Sequence, residues 1–437
     1  HTENYEAMKE VMKKYDPKTV EGLTGIPADQ LVEAARLFAQ AESASIVYSM
    51  GITQHAHGTD NVKACGNLAM IAGQIGKPSS GVNPLRGQNN VQGACDMGAL
   101  PNVFPGYQAV TNPDVIAKFE KAWGKQGLPA KVGLTVTEVM SAVHDGKVKG
   151  LYIMGENPMV SDPDLNHVRQ SLEHAEFLVV QDIFLTETAQ MAHVVLPATS
   201  FAETDGTFTN TERRVLPVRR IMANVGQCKE DWQIIQELAN AMGEKWNYAS
   251  PAEIMREINQ VTPSYGGITP ERIANGELLQ WPCPTVQHPG TPYLHKDGNF
   301  TRGKGLFAAV DHIGAKEQPD KDFPLVLNTG RLLFHYHTAS MTRRTRALPE
   351  YVNEAFMEMN PLDCKKLGVK HQEKVKVSSR RGTINIAIKE TERVAEGSVF
   401  IPFHFAEAAA NMLTNNVIDP IAKIPELKVC AVKVERL

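Results

Sequence analysis

One stretch of the sequence concentrates side chains that could hold a polar ligand. Residues 81–98 contain four glycines, five amides and a single cation, Arg86. Amides both donate and accept hydrogen bonds, and a guanidinium can grip a carboxylate through two parallel bonds. The composition therefore predicts either a loop that wraps a polar, carboxylate-bearing ligand or a surface loop whose arginine forms a salt bridge.

Two further stretches carry groups that suit a phosphorylated ligand. Residues 204–214 combine hydroxyls, an amide and paired arginines, which is equally typical of a polar turn with solvated charges. Arg331, His335 and His337 follow a predicted strand, and they could meet a pyrophosphate, although charge clusters are often simply solvated. Three more arginines lie just beyond them: Arg343, Arg344 and Arg346.

Several other chemistries are not supported. The sequence has no Gly-x-Ser-x-Gly elbow, no His-Glu-x-x-His zinc motif and no Walker phosphate loop. Its six cysteines form no Cys-x-x-Cys pair, so we expect no zinc or iron–sulfur site within this chain and no metal ligands among its residues. Dispersed cysteines also favour reduced thiols in a cytoplasmic protein. His55 and His57 could bind a metal, but a structural role is expected.

Overall charge and hydropathy narrow the range of partners. The formal net charge is −4, so the chain lacks the excess of positive charge that would attract nucleic acid or an anionic membrane. No apolar run approaches the ~18 residues of a membrane span. The sequence therefore predicts a globular protein without a nucleic-acid partner and without a membrane span in this chain.

The order of predicted elements indicates an α/β protein with a different C-terminal part. Short apolar runs at 45–49, 151–154 and 177–181 alternate with helical patterns and end in small or polar residues. This alternation predicts a parallel sheet, whose carboxyl ends line ligand crevices. Residues 226–317 are rich in Pro and Gly and contain one clear helical pattern. From about residue 318, alternating residues and turns predict β-hairpins.

Taken together, these motifs resemble those of the molybdenum/tungsten bis-pterin guanine dinucleotide oxidoreductases, and of formate dehydrogenase catalytic subunits in particular. The matching elements run in order along the chain, at 71–78, 81–98, 154–158, 181–184, 204–214 and 360–368. The resemblance implies parallel-sheet αβα domains followed by a double-psi β-barrel. The domains expected are an α/β cofactor-binding segment at 1–88, an α/β nucleotide-binding segment at 89–225, a connecting segment at 226–317 and a dinucleotide-binding barrel at 318–437.

The resemblance also implies roles for individual residues. Arg86 would be catalytic, orienting the carboxylate of formate as formate is oxidised to CO2 or formed from it. The remaining residues would bind a bis-molybdopterin guanine dinucleotide carrying molybdenum or tungsten: Gly51, Thr53, Gln54, Gln88, Gly155, Glu156, Asn157, Asp182, Thr186, Arg331, His335, Phe403 and Lys428.

One departure from the family is large, because the four-cysteine iron–sulfur motif and the metal-ligating Cys or selenocysteine are missing. We therefore expect this chain to be the C-terminal portion of a catalytic subunit, with a [4Fe–4S] cluster and the metal ligand in a preceding region. An electron-transfer iron–sulfur subunit is the expected partner. A non-catalytic scaffold with a pterin fold and a nitrate reductase of the same superfamily are the alternatives.

Overall fold

The computed structural model describes all 437 residues, which form two compact units. Unit 1 comprises residues 1–87, 291–316 and 417–424, and unit 2 comprises 88–290, 317–416 and 425–437. No helix in either unit has both the length and the apolar character needed to cross a bilayer. The division into four domains at residues 88, 225 and 317 stays a prediction.

Unit 1 is a helical unit with two small parallel sheets of two strands each. Strand Ser45–Tyr48 pairs in parallel with strand Gly81–Pro84, and Thr2–Glu3 pairs in parallel with Gly305–Leu306. The helices of this unit are Tyr5–Met12, Pro17–Thr24, Ala28–Gln40, Met50–Thr53 and Gly58–Ile71.

The prediction that residues 81–98 form a single loop is wrong, while their predicted contact with a ligand stays a prediction. Gly81–Pro84 is a strand and Val91–Asp96 is a helix, so only the residues between them form a turn. The strand forms through backbone pairing with Ser45–Tyr48, which needs no apolar side chains of its own. Composition therefore underestimated how ordered this stretch is.

Unit 2 contains a three-stranded parallel sheet covered by helices. Strands Gly150–Met154, Phe177–Asp182 and Val194–Pro197 pair in sequence order, which confirms the two strands predicted here. Helices Val136–His144 and Leu165–His174 pack on the sheet. The shared core of sheet and helices is fully apolar and includes Val143, Leu172, Leu178 and Val180. This packing fixes where the carboxyl ends of the strands lie.

The remainder of the non-barrel part of unit 2 consists of hairpins and short helices. The polar stretch 204–214 contains the strand Gly206–Thr209 and the turn at 210–214, which leads into the second hairpin strand, Val215–Val218. The helix predicted near Asp231 is confirmed, and two later helices were not predicted. The other elements are the strands Val103–Phe104 and Gln108–Ala109 and the helices Pro113–Trp123, Pro158–Ser161, Asp231–Ala241, Pro251–Val261 and Pro270–Ala274.

The C-terminal part of unit 2 is a closed six-stranded barrel, which confirms the predicted barrel. Its alternating residues fill the interior, as at Val375 and Val377, both fully buried. Helix Pro361–Leu367 follows the strand Phe356–Met359. In order around the barrel, the strands are Leu325–Gly330, Ser398–Pro402, Phe356–Met359, Thr383–Glu390, Lys374–Ser378 and Cys430–Arg436.

A buried ion pair ties the segment that enters the barrel to the barrel wall. Arg381 Nη1 and Nη2 donate to the two carboxylate oxygens of Glu317 at 2.6 and 2.9 Å. The side chains are only 14% and 13% exposed. Removing one partner of such a pair leaves an uncompensated buried charge, which costs more than the pair itself contributes.

We expect Glu317→Ala to lower the free energy of unfolding by about 3–5 kcal/mol, because Arg381 would then stay buried without a counter-charge. Lys147→Ala is the control, since Lys147 pairs with Asp145 at an exposed site and should change stability by less than about 1 kcal/mol. Chemical denaturation measures both. Equal losses in the two variants would contradict the assignment.

Candidate functional site

A cavity of about 250 Å³ opens in unit 2 at the carboxyl ends of two parallel strands, Gly150–Met154 and Phe177–Asp182. Its wall is completed by the loop that follows the first barrel strand. The lining residues include Gly155, Glu156, Asn157, Asp182, Thr199, Asp231, Tyr336 and His337. Four of the predicted binding residues are therefore brought together here.

The turn after the first strand is shaped by Gly155 and braced by Asn157. Gly155 has a φ of 62°, a conformation that strongly favours glycine, and its N–H donates to Gln181 O at 2.8 Å. The buried Asn157 amide accepts from the Thr188 hydroxyl at 2.7 Å and donates to Glu187 at 2.8 Å. Asn157 therefore joins the two strand ends and holds the cavity wall in place.

Three carboxylates face this cavity. Desolvation raises the pKa values of Glu156, Asp182 and Asp231 above their usual range. Asp182 accepts from the backbone N–H of Ile183 at 2.6 Å, and Asp231 accepts from Gln181 Nε2 at 2.5 Å. An ionised carboxylate offers only hydrogen-bond acceptors, so the cavity suits a ligand edge that presents N–H donors.

A group of cationic and imidazole side chains adjoins the cavity through the loop that carries Tyr336 and His337. Lys428 Nζ donates to Thr329 O, and the guanidinium of Arg331 lies 5.6 Å from the centre of the Phe403 ring. Desolvation, with the charge of Arg331 adding to it, lowers the pKa of Lys428 to about 8. Desolvation also lowers the pKa of Arg331.

This cationic group has no internal counter-charge. No carboxylate is among the groups that shift the pKa values of Arg331 and Lys428. Desolvation lowers the pKa of the neighbouring His337 to about 4, and the charge of Arg331 adds to the effect. Partly dehydrated cations held together without an anion are costly unless an anionic ligand neutralises them. The arrangement therefore suits a phosphate or pyrophosphate.

Two predicted binding residues are placed differently. His335 is buried, with Nε2 2.6 Å from Val352 O and Nδ1 3.1 Å from Thr342 Oγ1, so both ring nitrogens have partners within the protein. The buried Thr186 hydroxyl accepts from the N–H of Ala189 at 3.2 Å. Neither residue lines the cavity, and their predicted contacts with a ligand stay predictions.

The other predicted residues lie in unit 1, apart from Gln88, whose carbonyl accepts from Val91 N in unit 2. The ends of the two parallel strands of unit 1 meet, because Ser49 Oγ donates to Leu85 O at 3.0 Å. The next residue, Arg86, is exposed. Gly51, Thr53 and Gln54 form or follow the short helix Met50–Thr53.

Arg86 also acts on a neighbouring phenol. Burial raises the pKa of Tyr48, and the charge of Arg86 opposes that rise. The structure thus assembles Arg86 and residues 51–54 at one end of this two-stranded sheet, where the two strands finish together. Tyr48 was not predicted, because nothing in its local sequence distinguishes it from an ordinary strand residue.

Among the residues that line the cavity in unit 2, sequence reasoning missed Thr199, Asp231 and Tyr336. Thr199 follows the short strand Val194–Pro197, whose four residues gave no usable alternation. Asp231 begins a helix in a segment interpreted as a connection. Tyr336 lies between predicted basic residues. The position of Thr199 just after a parallel strand was the one signal that could have identified it.

Asp162 is a buried carboxyl group next to this cavity. The residue is 9% exposed, Oδ1 accepts from Ser161 Oγ at 3.0 Å, and Oδ2 has no hydrogen-bond partner. Burial raises the pKa of Asp162 to about 7, and the charge of Glu156 adds to the rise. The folded state therefore binds this proton more tightly than the unfolded state does.

Because the folded pKa exceeds the unfolded value, stability should fall as the pH rises from about 4 to about 7. We expect Asp162→Asn to remove that loss and to be more stable than the wild type by about 2–4 kcal/mol at pH 8, with little difference at pH 4. Thermal unfolding at the two pH values measures this. The exposed control Asp145→Asn should not be more stable than the wild type at pH 8. A stability difference between Asp162→Asn and the wild type that is the same at both pH values would refute the interpretation.

Comparison with protein families gives two matches. Residues 7–241 match the molybdopterin oxidoreductase family, and residues 325–431, which span most of the barrel, match the molydopterin dinucleotide binding domain. The first match covers more than half of the chain. The second assigns the barrel and the loop carrying Arg331 and His337 to a domain type that binds a molybdopterin dinucleotide.

Curated relatives point in the same direction. The chain is 53% identical over 440 residues to F420-dependent formate dehydrogenase subunit alpha of Methanocaldococcus jannaschii, covering all of this chain and 64% of the relative. It is 40% identical over 439 residues to formate dehydrogenase H of Escherichia coli, covering 99% of this chain and 61% of the relative. The chain thus spans less than two thirds of these relatives.

A solved structure supports the fold. Acetylene hydratase from Pelobacter acetylenicus superposes with a TM-score of 0.72 at 18% identity, covering 99% of this chain and 66% of that one. Together with the family matches, this confirms the fold class of parallel sheets followed by a barrel, and it confirms the resemblance found in the sequence motifs. The chain belongs to the molybdopterin oxidoreductase family.

Proposed function

We propose that this chain takes part in the oxidation of formate to CO2, or in the reverse reaction, as part of a formate dehydrogenase catalytic subunit. The observation that carries the proposal is the arrangement in unit 2, where a carboxylate-lined cavity adjoins the cations Arg331 and Lys428 through His337. The names of the relatives, at 40–53% identity, favour formate as the substrate.

The residues present fit a bis-molybdopterin guanine dinucleotide with molybdenum or tungsten. Guanine presents N–H donors, which the carboxylates of Glu156 and Asp182 can accept. The phosphates of a dinucleotide are anions, which Arg331 and Lys428 can neutralise. The carboxylate-lined cavity would hold the guanine nucleotide of one of the two pterin dinucleotides, and Arg331 and Lys428 would bind the other. Gly51, Thr53 and Gln54 of unit 1 and Gln88 of unit 2 would contact the pterin parts.

The role of Arg86 follows from the shape of the substrate. Formate presents two equivalent oxygens, and a guanidinium can bind both through parallel hydrogen bonds. Such a contact fixes the orientation of the C–H bond and stabilises the carboxylate as its electrons are withdrawn. The bound molybdopterin group would supply the two-electron redox chemistry.

The iron–sulfur cluster and the metal-ligating Cys or selenocysteine would come from outside these 437 residues. The chain contains no group of three or more His, Cys, Asp or Glu side chains able to hold a metal ion. Relatives from Methanocaldococcus jannaschii and Methanococcus maripaludis are named as alpha subunits of F420-dependent enzymes. We propose that an iron–sulfur partner subunit passes the electrons to an acceptor such as F420, after which these relatives are named.

A non-catalytic scaffold is less consistent with these features. Arg331 and Lys428 lie together without a carboxylate that offsets their charges, and a scaffold that never binds an anion gains nothing from that arrangement. The same holds for Glu156, Asp182 and Asp231, whose raised pKa values show that desolvation penalises their charge.

We expect Arg86→Ala in the natively purified holoenzyme to lower kcat/KM for formate by about 100- to 1,000-fold, because the substrate carboxylate loses its charged partner. Metal and guanine contents should not change. Arg36→Ala, an exposed arginine on helix Ala28–Gln40, is the matched control and should leave turnover intact. Steady-state kinetics measures both, and unchanged turnover in Arg86→Ala would overturn this role.

A further inference from the structure

A buried carboxylate outside the candidate site anchors the helix that follows Gln88. Asp96 is 1% exposed and ends helix Val91–Asp96. Its Oδ1 accepts from Gln92 Nε2 at 2.7 Å and from the Tyr107 hydroxyl at 2.8 Å, and its Oδ2 accepts from the Tyr265 hydroxyl at 2.5 Å. Two of these donors come from segments outside the helix.

The network continues from Asp96 to the start of the same helix. The Tyr265 hydroxyl lies 3.0 Å from Thr209 Oγ1, and the backbone N–H of Thr209 donates to Asn90 Oδ1 at 2.9 Å. Burial and the charge of Asp96 raise the pKa of Tyr265, so its phenol stays protonated as a donor. Both ends of the helix are thereby fixed to the hairpin strand Gly206–Thr209 and to Tyr265.

The turn before this helix touches the wall of the cavity in unit 2. Asn89 N donates to the Tyr336 hydroxyl at 3.0 Å, and Tyr336 lines the cavity. Asn90 adopts the left-handed conformation with a φ of 61°. A Cβ added at Gly93 would lie 2.1 Å from Asn90 Oδ1, so the fit between turn and helix leaves no free space.

We propose that Asp96 is a positioning residue that holds the turn at residues 88–90 against Tyr336. A buried carboxylate is costly unless it is fully hydrogen-bonded, so the helix cannot shift without breaking contacts to three other segments. The functional part of this inference rests on the proposed function, because Gln88 is a proposed cofactor contact and Arg86 precedes it by two residues in the sequence.

The test uses the native holoenzyme and two variants that conserve volume, Asp96→Asn and Tyr265→Phe. Each removes one partner of the network, and the second keeps the proposal testable if the first fails to fold. Asp363→Asn is the matched control, because Asp363 is another buried carboxylate, which accepts from Gly397 N at 2.7 Å in the barrel part. The readouts are hydrogen–deuterium exchange of residues 89–96, metal and guanine content, and formate kinetics.

We expect both network variants to speed amide exchange in residues 89–96 by at least about tenfold and to lower kcat/KM for formate by at least about fivefold. Metal and guanine contents should stay at the wild-type level, and the control should change neither exchange nor kinetics. Unchanged exchange would overturn the anchoring role. Faster exchange with unchanged kcat/KM would overturn the positioning role.

The failure of this inference can be told apart from the failure of the proposed function. If the wild-type holoenzyme does not turn formate over, the proposed function fails. The exchange comparison between the network variants and Asp363→Asn then decides by itself whether Asp96 anchors the turn against Tyr336.

Discussion

Two cations that repel each other without a counter-charge are the constraint on which the site in unit 2 depends. The barrel enforces their proximity, because Arg331 directly follows the strand Leu325–Gly330 and Lys428 donates to Thr329 O within that strand. Loss of hydration lowers the pKa values of both groups, and the charge of Arg331 lowers that of Lys428 further. The closed barrel supplies the rigidity that keeps this unfavourable pair in place, and an anionic ligand would convert it into a favourable contact.

The parallel strands complement the barrel with the opposite charge. Strand ends at Met154 and Asp182 place carboxylates in a cavity whose other wall carries Tyr336 and His337. The site thus offers carboxylates that accept from N–H groups in one place and cations that bind phosphates in another, and a nucleotide ligand needs both. In unit 1, Arg86 and Tyr48 also lie at the carboxyl ends of parallel strands, close enough for the charge of Arg86 to act on the Tyr48 phenol.

Local patterns in the sequence accounted for elements that are locally determined, such as the alternating barrel strands and the turn at Gly155. Local patterns could not predict contacts between segments that are distant in the sequence. His335 turned out to be held inside the protein by Val352 and Thr342, and the strand Gly81–Pro84 forms through pairing rather than through apolar residues. The bond between Asp96 and Tyr265 joins residues 169 positions apart, which no local pattern could indicate.

The central claim is that this chain binds a molybdenum or tungsten pterin guanine dinucleotide. Its most direct test is the metal and guanine content of the natively purified protein that contains this chain. The proposed bis-pterin guanine dinucleotide cofactor predicts about one molybdenum or tungsten and about two guanines per chain. A native, folded protein that contains neither metal nor guanine would contradict the claim and would favour a scaffold without a cofactor.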